Sequence, residues 1–224
     1  METSENVIKK DSVEEALKNF ILKKKHPCVM AQTVFKMEDY DIKEYVDMGS
    51  ASAARDILRD LENYLENYDF STNSFATFIA AFPEENIEDE LTFEKQLWQQ
   101  LNEIHKQDKI DWDPTVSSDP QNSEFSFSIL GKAFYIVGLH PNSSRMARRA
   151  PFPSVVFNLH FQFEQLREMN TYKRVRDRIR RRDKKLQGSI NPMLADFGHA
   201  NEALQYSGRK VDKNWECPFK PSNN

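Results

Sequence analysis

Apolar residues recur along this chain at spacings that change from helical to alternating and back. Val13, Ala16, Leu17, Phe20 and Ile21 fall on one side of a helix over 12–25, with Ser12 as its N-cap. Pro27 stops that helix, and the apolar run in HPCVMAQTVF then reads as a strand or buried turn. Ala53, Ala54, Ile57, Leu58, Leu61 and Leu65 predict a second helix over 50–68; Phe93, Leu97, Trp98, Leu101, Ile104 and His105 predict a third over 91–108. Between them SFATFIAAF, bounded by Asn73 and Pro83, is short and continuously apolar, as a buried strand is.

After a loop at 111–123, rich in Asp, Pro, Ser and Asn, the period drops to two. EFSFSIL and AFYIVGL, joined at LGK, predict a β-hairpin over 124–139. Residues 154–169 return to a helical pattern, and 171–188 form a strongly basic helix closed by Gly188. The tail is broken by Asn-Pro, Phe-Gly and Ser-Gly turns. The expected fold is α+β: a single domain over 1–224, with a small antiparallel sheet packed by several helices and flexible ends at 1–11 and 220–224.

With 224 residues and 39% hydrophobic content the chain can bury one substantial core. Two cysteines, Cys28 and Cys217, are too few for a disulfide framework or zinc ribbon and suit a reducing compartment. No signal-peptide h-region or eighteen-residue apolar run occurs, so the expected location is cytoplasmic, without a membrane span. The net charge of −4 conceals two unlike halves: residues 1–131 carry 13 Lys and Arg against 27 Asp and Glu, and residues 132–213 carry 17 against 7. Either the basic half receives an anionic partner, or the two halves pair within one domain. The basic helix lacks the aromatic interleaving of a nucleic-acid surface, and no nucleic-acid partner is expected.

The chemistry is concentrated in GLHPNSSRMARRAPF, residues 138–152, which leaves the end of the second hairpin strand. Arg145, Arg148 and Arg149, with Ser144, give planar bidentate donors suited to a carboxylate or phosphate. GxGxxG, Walker, GxSxG and HExxH motifs are absent, and no two histidines are paired at i,i+4. A single-histidine metal ligand remains, as in haem proteins. His160 sits among Val155, Val156, Phe157, Leu159, Phe161 and Phe163, which keeps an imidazole neutral; the ordinary alternative is a satisfied core histidine. His140, at the strand end, is the rival ligand. His105 is structural, and His26 and His199 belong to loops.

FSFSILGKAFYIVGLHPNSSRMARR, VVFNLHFQFEQLR, IRRRDKKLQGSINPMLADFG and EALQYSGR, in that order, resemble the YqcI/YcgG family, from HPCVMA near residue 26 to WECPF at 215–219. Several characterised members of that family look like haem-dependent enzymes that hydroxylate the guanidino nitrogen of arginine or of related cyclic guanidine amino acids, using dioxygen. The resemblance implies haem b, an arginine-like substrate, an external electron donor and a histidine-ligated iron, with His160 preferred and His140 the alternative. Arg145, Arg148, Arg149 and Arg209 would meet the haem propionates or a substrate carboxylate. Glu164, Asp196 and Glu202 are candidate partners for a guanidinium, and Tyr206 and Ser207 candidate donors to bound oxygen. His199 and Asn201 depart from the acidic residue and serine expected there, which bears on the substrate pocket. The alternative is a non-catalytic haem- or anion-binding protein on the same scaffold.

Overall fold

A computed structural model describes residues 13–24, 26–72, 74–194, 196–198 and 200–221. Ser12, Asn73, His199 and the expected flexible ends, apart from 220 and 221, lie outside the described residues. Helix α1, residues 13–18, runs on into a π-helical turn, Asn19–Lys23. Residues 29–37 are helical and not a strand: α2 (Val29–Met37) starts where the Cys28 Sγ accepts a hydrogen bond from the Ala31 N–H. Strand β1 (Tyr40–Glu44) follows, then α3 (Ala51–Asn67), capped by Ser50, β2 (Thr77–Ala81), and α4 (Glu90–Gln107), capped by Asp89.

The predicted hairpin is β3 (Phe127–Ile129) and β4 (Lys132–Leu139). Leu130 and Gly131 both take positive φ, 53° and 69°, the backbone that closes a two-residue hairpin turn. Residues 154–169 do not form one helix. Their first six are β5 (Ser154–Leu159), and only from His160 does the chain become α5 (His160–Glu168). The reason is position: β5 lies in the middle of a five-stranded sheet of order β1-β2-β5-β4-β3 and is covered on both faces, so its apolar run has no two-residue alternation to announce a strand. The sheet is also larger than the expected hairpin and mixed, with β1 and β2 parallel and the other pairs antiparallel. Helix α6 (Tyr172–Gln187) ends at Gly188, whose φ of 82° makes it a left-handed cap.

The two faces of the sheet carry different cores. On one, Phe78, Phe134, Ile136 and Phe157 pack with Ile57 and Leu61 of α3 and Leu97, Trp98 and Leu101 of α4. On the other, Ile79 and Leu139 pack with Leu17, Phe20 and Ile21 of the first helical segment and Val34 and Phe35 of α2. Gly138 lets the tail cross β4 at close range: its N–H donates to the Tyr206 carbonyl at 2.7 Å, and a Cβ there would stand 2.6 Å from the Phe93 ring and 2.8 Å from that carbonyl oxygen. This crossing brings residues 202–207 to the sheet.

Candidate functional site

The second face of the sheet is not filled. Between Thr77, Ile79, Tyr135, Val137, Val156 and Asn158 on the strands and the helices α1, α2, α5 and α6 lies a cavity of about 320 Å³. Apolar side chains make most of its wall, among them Leu17, Phe35, Phe163, Val175, Ile179 and Phe197. Arg145, Arg148, Arg167, Arg176 and Arg180 also line it, against Asp183, Asp196 and Glu202. Sequence periodicity gave no sign of α6's double character, because the cationic residues on its inner side read as part of the same charged run.

His160 stands in this wall where β5 turns into α5. Its ring packs on Phe197 at 4.4 Å between centroids, and neither nitrogen makes a hydrogen bond with a described residue; Glu164 Oε1 lies 3.7 Å from Nδ1. Burial, with the Arg167 guanidinium acting in the same sense, lowers its pKa to about 4. The imidazole is therefore neutral at neutral pH, as a metal ligand must be. Glu164 itself is half-exposed, bonded to Arg167, and does not line the cavity.

His140 is elsewhere. It is fully buried, stacks on Phe93 of α4 at 4.4 Å, has no partner for either ring nitrogen among the described residues, and does not line the cavity. His26 does line it, but both of its nitrogens are engaged: Nε2 donates to the Ala147 carbonyl at 2.8 Å and Nδ1 accepts from the Cys28 N–H at 3.2 Å. Among the described residues no group of three or more His, Cys, Asp or Glu is arranged to hold a metal ion.

The anion held by the arginine-rich loop is a residue of the protein. Arg145 donates to Asp183 at 2.5 Å and to Ser189, and Asp183 also accepts the Asn191 N–H. Arg148 donates to the carbonyls of Gly138, Tyr206 and Gln205, tying β4 to the 3-10 turn Glu202–Gln205. Arg149 is exposed and donates to the Ser143 carbonyl; Ser144 is bonded to Glu90, and Arg209 to Glu94. None of these last three residues lines the cavity.

Glu202, like Asp183, is a buried carboxyl that lines the cavity. Its Oε1 accepts from the Tyr206 hydroxyl at 2.5 Å and the Ser126 hydroxyl at 2.8 Å. Burial overrides both bonds and pushes its pKa up to about 8, so at neutral pH it is mostly protonated. Tyr206 also accepts from the Phe127 N–H, and Ser207 donates to Glu94; neither lines the cavity. Asp196 lines it, paired with Arg176 and Arg180. Asn201 caps the 202–205 turn, its side-chain oxygen accepting from the Ala203 N–H, which gives the residue at that position a structural role.

These groups set the pH response of stability. His26, His140 and His160 all have pKa values lowered by burial to about 4, against 6.5 when exposed, so unfolding takes up protons between those limits and stability falls as pH drops through 6.5. Glu202 acts oppositely: the folded chain keeps its proton up to about 8 while the unfolded chain loses it near 4.5, so its contribution declines as pH rises through that range. Three imidazoles outweigh one carboxyl below pH 6.5, and above it only Glu202 remains of this set. The melting temperature is expected to peak near pH 6.5, and calorimetry of Glu202→Gln is expected to flatten the alkaline limb and steepen the acid one, where the carboxyl no longer opposes the imidazoles.

Among the described residues no helix is long and apolar enough to cross a membrane. The chain is similar over 217 residues, at 26% identity, to the uncharacterized protein YqcI of Bacillus subtilis (strain 168), a span covering 89% of this chain and 82% of that relative. No solved structure matches. The YqcI/YcgG family model matches residues 17–220, from the first residue of the cavity wall, Leu17, to beyond its last, Gln205. The whole wall falls within that match: the chain belongs to the YqcI/YcgG family.

Proposed function

We propose that this protein binds haem b in the cavity and hydroxylates a guanidino or amino nitrogen of arginine or a related amino acid with dioxygen. The observation that carries the reading is the make-up of one wall: it is mostly apolar, holds a neutral imidazole, His160, without a hydrogen bond to a described residue, and sets five arginines against two carboxylates and the protonated Glu202. A flat apolar dianion ligated by one imidazole meets those groups. Bound haem supplies the activation of dioxygen, which side chains cannot provide.

The chain supplies position, charge and protons. His160 would hold the group, with Glu164 standing near its Nδ1. Arg176 and Arg180, set in place by Asp196, meet the propionates better than Arg149 and Arg209, which are outside the cavity. Glu202 is the acceptor for a cationic substrate: an arriving guanidinium lowers the carboxyl's pKa, the proton leaves, and a fork-to-fork pair forms in a water-poor setting. A non-catalytic haem protein is the second reading, favoured by one observation, that the Tyr206 and Ser207 hydroxyls are bonded to Glu202 and Glu94 and do not reach the cavity.

Titrating the purified protein with hemin tests the first step. A saturable Soret band at one haem per chain is expected, and its absence sinks both readings. Product analysis with arginine, dioxygen and a reductant then separates catalyst from carrier.

A further inference from the structure

Helix α6 has two faces with different tasks. Tyr172, Val175, Ile179 and Asp183 on its inner side line the cavity. Lys173, Arg174, Arg178, Arg181, Lys184 and Lys185 on its outer side are exposed and make no ion pair or hydrogen bond with a described residue. At 100° per residue these six fall within an arc of about 140°, roughly 18 Å long, opposite the cavity-lining side. Asp177, the acid on the same arc, is paired with Arg176.

The basic half of the chain does not discharge this face internally. Arg145–Asp183, Arg176–Asp196 and Arg180–Asp196 are pairs within that half, and Arg209–Glu94 joins it to the acidic half far from the outer arc in sequence. The arc carries no aromatic residue to stack a base and no apolar residue to enter a lipid surface. A cationic face without apolar anchors suits a transient, electrostatically steered encounter between folded proteins.

We propose that the outer face of α6 docks a small acidic electron-carrier protein, of the iron–sulfur or flavin class, which delivers electrons through one helix to the cavity. The inference rests on the haem reading above. The reaction R–NH2 + O2 + 2 e− + 2 H+ → R–NHOH + H2O needs two electrons, and each comes from oxidation of one reduced carrier docked in turn. A donor on this face stands about one helix diameter, 10–12 Å, from whatever the cavity holds.

Binding of a fluorescently labelled plant-type [2Fe–2S] ferredoxin tests the face, with and without hemin. Tight binding at low ionic strength that weakens steeply with salt is expected. In the variant Arg174→Glu/Arg178→Glu/Arg181→Glu, binding and ferredoxin-driven haem reduction are expected to fall about tenfold or more. Hemin uptake and reduction by dithionite should be unchanged, and Arg174→Lys/Arg178→Lys/Arg181→Lys should retain binding. Equal ferredoxin binding by parent and charge-reversed protein overturns the proposal, as does tighter binding of duplex DNA or phosphatidylserine vesicles through the same residues. Charge-dependent ferredoxin binding by a protein that takes up no hemin supports the docking face and counts against the haem reading alone.

Discussion

Replacing Arg148 with alanine is expected to destabilise the protein by about 3–5 kcal/mol, read as a lower denaturant midpoint. The guanidinium is buried, and its donors serve Gly138 O at 2.9 Å, Gln205 O at 3.0 Å and Tyr206 O at 3.3 Å. Without it three carbonyls lose a bond from a charged donor, worth about 1.5–3 kcal/mol each, although the Tyr206 and Gln205 carbonyls keep the Gly138 and Gly208 N–H groups. Release of a desolvated cation offsets part of this, since burial already lowers the Arg148 pKa. Its aliphatic stem also packs where Gly208 leaves room, a Cβ there standing 3.0 Å from Arg148 Cγ. Lysine keeps the charge but offers one ammonium in place of a planar fork, so Arg148→Lys should recover only part of the loss. A cost under about 1 kcal/mol would mean that water from the cavity replaces the guanidinium at all three carbonyls.

That arginine shows where sequence reading stops. Three donors close together announced acceptors, but which acceptors depended on how residues 183–206 return to the loop, a tertiary fact with no local signature. Helices α3 and α4 were legible because each has one apolar side at helical spacing; their caps, Ser50 and Asp89, came only with the structure. The hairpin was legible from its alternation, with the Leu130–Gly131 turn as confirmation. Strand β5 was not, because covering both faces of a central strand erases the alternation that identifies one. The same burial made His160 conspicuous: an imidazole in an apolar run is easy to see, whichever element it ends.

The cavity was invisible for a related reason. Its walls are the apolar residues of three strands and four helices, and a position facing an empty volume has the same hydrophobic character as one facing a packed neighbour. Only packing separates the filled face of this sheet, against α3 and α4, from the open one. Two histidines changed meaning accordingly. His26, assigned to a loop, lines the cavity with its nitrogens engaged, and His140, the alternative ligand, lies against Phe93 outside it.

That separation makes the ligand experiment sharp. His160→Ala is expected to abolish the hemin Soret band or shift it to that of weakly held hemin, with affinity down about 100-fold or more, in line with the loss of a metal's anchoring ligand and not merely of an outer partner, which costs 10–100-fold. The fold should survive, because the ring makes no hydrogen bond with a described residue and lines a cavity that alanine only enlarges. His140→Ala is expected to do the reverse. It removes a fully buried ring stacked on Phe93, at a stability cost of about 1–3 kcal/mol, while relieving two unpartnered nitrogens and leaving the hemin spectrum unchanged. External imidazole should restore a histidine-type spectrum to His160→Ala by entering the space the side chain vacates. Full hemin affinity in His160→Ala would take the iron off His160, and spectral loss in His140→Ala would move it from this cavity to the far side of the sheet.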